Sequence, residues 1–147
     1  METELRLASQ TIRFDRDATI GLYRDVILMP GADQCTCLSC KNLATQRSFA
    51  YSDEFLRLSQ NLGVDPLKEW EAFDYDFGPG NHDRHVYGGW FLFCGELIQD
   101  AGEKRNGEPF SYYFTSSFPN GTLPPDIKIC AVEFMTAVPW VLSEMLQ

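Results

Sequence analysis

The segment HVYGGWFLFCGEL, His85 to Leu97, constrains the fold more than any other stretch of the chain. A β-strand sends successive side chains to opposite faces, so Trp90, Leu92 and Cys94 point one way and Phe91 and Phe93 the other. Both faces are then apolar. A strand with one wet face does not show that pattern, which predicts a central strand covered on both sides. Inside it, the adjacent glycines Gly88 and Gly89 mark a bulge or a close approach of another backbone.

The flanking sequence supplies neighbours for such a strand. FSYYFTSS and IKICAVEFM are strand candidates separated by the loop FPNGTLPPD. Near the start, Leu5 and Leu7, then Ile12 and Phe14, then IGLYRDVILMPG predict two or three strands, the last ending at the turn Pro30-Gly31. The middle of the chain is helical in pattern. LSCKNLATQR can open a short helix, and in YSDEFLRLSQNLG Ser52 or Asp53 caps, Phe55, Leu58 and Leu62 share a face, and Gly63 stops the run. DPLKEWEAF places Asp65 at a cap and Pro66 at a first helical position, with Leu67 and Trp70 inward. At the end of the chain Pro139 interrupts any strand, and a short terminal helix is expected. Strands, then helices, then strands indicate α+β. The expectation is one domain over residues 1–147, a mainly antiparallel sheet with two or three short helices inserted after the N-terminal strands.

Charge narrows the function classes. The net charge is -9 and only twelve Lys and Arg are present, scattered along the chain. Binding to a phosphate backbone draws its affinity from clustered cations, so a nucleic acid is excluded as partner and a basic protein surface is favoured. The opening METELRLASQ carries charges where a secretory signal needs an apolar run, and no apolar stretch is long enough to span a bilayer. A cytoplasmic protein is therefore expected, with its five cysteines reduced.

Three of those five cysteines stand within six residues, in QCTCLSCKN. Cys35, Cys37 and Cys40 form C-x-C-x-x-C, a spacing at which three thiolates reach one metal ion from a loop or a loop-to-helix junction. Zinc is the ion that such a set takes, usually with four ligands, and the fourth would come from Cys94, Cys130, His82 or His85. Cys94 and Cys130 sit in apolar strands and read better as small buried hydrophobes. The two histidines lie in a polar loop, where solvent exposure is the plain expectation. A second reading is thiol redox by Cys37 and Cys40, since backbone N–H groups at a helix start stabilise a thiolate. A third is structural: small side chains at a tight junction, with Asn42 bonding to nearby backbone. All three stay open at this point. No G-x-S-x-G elbow is present, and the pair Asp74 and Asp76 reads as solvated. No catalytic residue is assigned, and the chain reads as a binding or interaction protein before an enzyme.

CTCLSCKN, FLRLSQNLGVDPLKEWE, YGGWFLFCGEL and VEFMTAVPWVL, in that order, resemble a family of bacterial proteins of about this length with no assigned activity. The resemblance implies a single α+β domain. It points first to the cysteine segment and to the strand start Tyr87-Gly88-Gly89-Trp90.

Overall fold

The structure is a computed structural model that describes residues 2–28, 30–34, 37–75, 85–101, 106–107, 110–121 and 123–142. Its elements run β1 (Glu2–Leu7), β2 (Gln10–Asp15), α1 (Arg16–Asp25), α2 (Gly31–Gln34), α3 (Leu38–Ala44), α4 (Arg47–Ala50), α5 (Asp53–Leu62), β3 (Glu71–Asp74), β4 (His85–Asp100), β5 (Ser111–Thr115) and β6 (Ile129–Val138). The fold is α+β, with an antiparallel sheet of six strands ordered β1-β2-β4-β6-β5 and β3 paired to β4. Of the helices between β2 and β3, only α1, α3 and α5 exceed a single turn.

β4 holds the centre, as its sequence requires. Its first ten residues pair with β6, while Tyr87–Trp90 pair with β3 and Gly95–Asp100 with β2. Phe91 and Phe93 are fully buried, and Leu92 and Cys94 are buried on the opposite face. Tyr51 and Phe55, from the start of α5 and just before it, meet Phe91 at ring-centroid distances of 5.5 and 5.2 Å, with Phe110 and Phe134 completing an aromatic cluster. No bulge occurs at Gly88-Gly89, because the register against both neighbours is unbroken there. The close approach is real: a Cβ on Gly89 would lie 2.2 Å from the Glu71 carbonyl oxygen.

Between β3 and β2 one edge of β4 has no strand beside it among the described residues, and α1 takes the strand's place. The Tyr23 hydroxyl donates to the Leu92 carbonyl at 2.7 Å, and the Cys94 N–H donates to Thr19 Oγ1 at 3.0 Å. Side chains thereby satisfy backbone groups that burial would otherwise penalise. The sheet is also curled. In a flat sheet β2 and β5 would stand about 14 Å apart, three strand spacings. Gln10 of β2 nevertheless bonds both backbone groups of Phe114 in β5, donating to its carbonyl at 2.6 Å and accepting its N–H at 2.8 Å.

Two sequence expectations fail. Ile20–Leu28 is not a third N-terminal strand, because Asp15 accepts the Ala18 N–H as an N-cap and starts α1, which buries Thr19, Leu22 and Tyr23 at helical spacing. The expected helix over DPLKEWEAF is a turn followed by β3. Asp65 accepts from Leu67 N–H and Lys68 N–H; Leu67 is exposed, Trp70 is half-buried against the core as expected, and the fully buried residue is Glu69. The fully buried Glu69 carboxylate receives Arg47 Nη2 at 2.7 Å, Arg47 Nε at 3.2 Å and the Ala32 N–H at 2.8 Å. That anchor, with the Trp70 N–H on the Trp90 carbonyl, turns the chain into the ladder. The terminal helix expected after Pro139 falls largely on residues 143–147, outside the described residues.

Candidate functional site

α3 begins at the cysteine segment. Cys37 is its N-cap residue, extended at φ -73 and ψ 156, and its Sγ accepts the Cys40 N–H at 3.4 Å. Cys37 is exposed and Cys40 is buried, at 8% exposure. Both are thiols. Cys35, the first of the three predicted ligands, lies outside the described residues, as does His82.

One turn of helix presents Ser39, Cys40, Asn42 and Leu43 to the interior. They meet the β3–β4 pair, where Asp74 stands opposite Tyr87. Asp74 Oδ2 accepts the Ser39 hydroxyl at 2.5 Å and faces His85 Nε2 at 2.8 Å. The carboxylate can only accept, so the imidazole proton belongs on Nε2. His85 is fully buried, contrary to the expected exposed loop histidine, because it occupies the first position of β4 on the same face as Tyr87 and Phe91. Its ring contacts Tyr87 and Trp140, with centroids 5.1 and 5.2 Å away.

The Tyr87 hydroxyl donates to the Ser39 carbonyl at 2.6 Å and accepts from Asn42 Nδ2 at 3.2 Å. Burial pushes the Tyr87 phenol well above its usual pKa; the Asn42 hydrogen bond opposes this and the nearby Asp74 carboxylate adds to it. Asn42 also donates to the Pro139 carbonyl at 3.2 Å and accepts the Val141 N–H at 2.9 Å. It does not bond nearby backbone through its side chain, as expected for a turn asparagine. It ties α3 to the strand start at Tyr87 and to the chain beyond β6. The segments CTCLSCKN, YGGW and VPWVL therefore converge on one amide.

The remaining cysteines lie elsewhere. Cys94 is nine positions beyond His85 on β4, about 30 Å of extended strand, and Cys130 pairs with Phe93 close to it. Neither lies at the Cys37 end of the sheet. Both are buried, and burial raises both thiols, Cys130 to about 12. Among the described residues no three His, Cys, Asp or Glu side chains are placed to hold one metal ion. Sequence reasoning missed Ser39 and the Asp74–His85 pair, having read Asp74 as solvated. Among the described residues no helix is long and apolar enough to cross a membrane. No family model, curated protein or solved structure matches the chain.

Proposed function

We propose that the cysteine segment is a dithiol site in which Cys37 is the reacting sulfur and Cys40 the second thiol. One observation carries the reading: an exposed sulfur accepts the backbone N–H of a buried cysteine three residues on. The thiolate is the nucleophile in disulfide exchange, and the exposed position of Cys37 leaves its sulfur open to a partner. The substrate class is a disulfide on a partner protein. Cys37 thiolate attacks one sulfur and forms a mixed disulfide, while the displaced sulfur leaves as thiolate and takes a proton from water. Cys40 then loses its proton and attacks Cys37 Sγ, which releases the partner's other sulfur. The partner gains two electrons and the Cys37–Cys40 disulfide holds the oxidation. A reducing cytoplasm of the kind bacteria maintain would return the pair to thiols.

Reaction with a small aromatic disulfide tests this. Cys40→Ser should trap the mixed disulfide on Cys37, identifiable by mass spectrometry, and Cys37→Ser should remove the fast phase. Cys37 reacting no faster than an unstructured peptide cysteine ends the proposal.

The C-x-C-x-x-C spacing favours a second reading, a binding or interaction protein that holds a zinc-type ion through Cys35, Cys37 and Cys40. Three thiolates acting together lose the ion when any one is removed, so Cys35→Ser, Cys37→Ser and Cys40→Ser should each lower metal content and melting temperature. A metal-loaded Cys37→Ser protein rules that site out.

A further inference from the structure

A cavity of about 480 Å³ opens between α1 and α5. Arg16, Arg24 and Lys68 line it with Asp65, and Asp25 pairs with Arg24 beside it, so three cations meet two carboxylates there. Its volume is that of an ordinary small-molecule site, about 300–1,000 Å³. The two helices are tied together at one end of the groove. Gly63 caps α5 in the left-handed region, φ 84, and a Cβ there would lie 2.6 Å from the Arg16 carbonyl oxygen. Arg16 Nε donates to the Gln60 carbonyl at 2.9 Å and pins the two helices together.

The walls are apolar and partly open. Ile20 and Leu56 line the groove from the two helices, 38% and 37% exposed, with Tyr23 and Val64 buried behind them. The cations stand beside Tyr23: Lys68 Nζ donates to the Tyr23 carbonyl at 3.3 Å, and Arg24 follows it in sequence, in an exposed pair with Asp25. An ammonium has three donors and a guanidinium five, so one carbonyl or one carboxylate does not saturate either. Asp25 and Asp65 offset part of this charge, and the donors they leave unused on Arg24 and Lys68 are what an entering anion would meet.

We infer that the groove binds an amphipathic carboxylate, a short fatty acid or an acid of that shape. The carboxylate lies at Arg24 and Lys68 and the chain runs along Ile20 and Leu56. Octanoate, octylamine and octanol, each titrated into the full-length protein and followed by amide chemical shifts, test the head-group and the body separately. Octanoate should saturate and move the amides of residues 16–24 and 56–68, with the amine and the alcohol weaker by on the order of tenfold or more. Arg24→Gln and Lys68→Gln should each weaken octanoate several-fold, and the double variant by more than about tenfold, with the unliganded melting temperature held near that of the parent. Arg24→Lys should recover part of the loss. Octanol or octylamine binding as well as octanoate, unchanged affinity in the double variant, or no saturation by about 10 mM overturns the inference.

Discussion

Removing the Asn42 side chain should cost about 2–4 kcal/mol, and the structure shows why the loss falls in that range. The residue is fully buried and makes three hydrogen bonds, to the Tyr87 hydroxyl, the Pro139 carbonyl and the Val141 N–H. Each is worth about 1 kcal/mol net, and a polar group left buried without a partner adds about 1–3 kcal/mol. Asn42→Ala strands few such groups. The Pro139 carbonyl keeps Gln46 Nε2 at 2.8 Å, the Tyr87 hydroxyl keeps the Ser39 carbonyl, and Val141 is more than half exposed, so its N–H can reach water. The lost bonds dominate. Asn42→Asp behaves differently, because it keeps the acceptor toward Val141 but turns an anion toward the Pro139 carbonyl.

Burial raises the folded-state pKa of that new carboxyl above its unfolded value of about 3.9. A raised pKa means that the stability linked to the proton is fully present below the unfolded value and is lost as pH rises through the folded one. The gap between parent and Asn42→Asp should therefore be smallest in acid and widen toward neutrality, by at most about 1.4 kcal/mol per pH unit. Urea denaturation at several pH values measures both variants. A loss under about 1 kcal/mol for Asn42→Ala, or a pH-independent gap for Asn42→Asp, would show that Asn42 does not hold the three segments together.

Three further outcomes follow from the sheet. Phe91→Ala and Phe93→Ala should each lose about 3–5 kcal/mol in urea denaturation, the range for a large aromatic removed from a packed interior, and a loss under about 1 kcal/mol in either contradicts its place in the core. Tyr23→Phe orphans the Leu92 carbonyl and Thr19→Val the Cys94 N–H, so each should cost about 1–3 kcal/mol. Since the two bonds engage different backbone groups of β4, a double-mutant cycle measures how far the losses add. Gly89→Val must push the Glu71 carbonyl away from a Cβ only 2.2 Å off, which should unpair β3 from β4 and lower the melting temperature; a variant as stable as the parent removes the close-approach argument.

What the sequence made legible is what strand parity and capping chemistry determine locally. β4 declared its central place through two apolar faces, and Ser52 and Gly63 bracketed α5 as the cap and stop residues. Failures came where a local pattern fitted two structures. The run from Ile20 to Leu28 suits a strand by composition, and the signal that decided it was one residue, Asp15, whose carboxylate caps α1. At Asp65-Pro66 a helix start was present, but the long-range demand of Glu69 for Arg47 overrode it. The site shows the same division more sharply. Parity that turns Phe91 and Phe93 inward also turns His85 and Tyr87 inward, so the buried histidine was available to the same argument that placed the core. Its partners were not, because Asp74 and Ser39 are 11 and 46 positions from it in the chain, and only the pairing of β3 with β4 brings them within reach. A chain carries its sheet parity in adjacent residues and its polar networks in distant ones. The buried Ser39–Asp74–His85 chain beside two thiols therefore had to be found in space, and it is the part of the molecule whose chemistry the thiol experiments address.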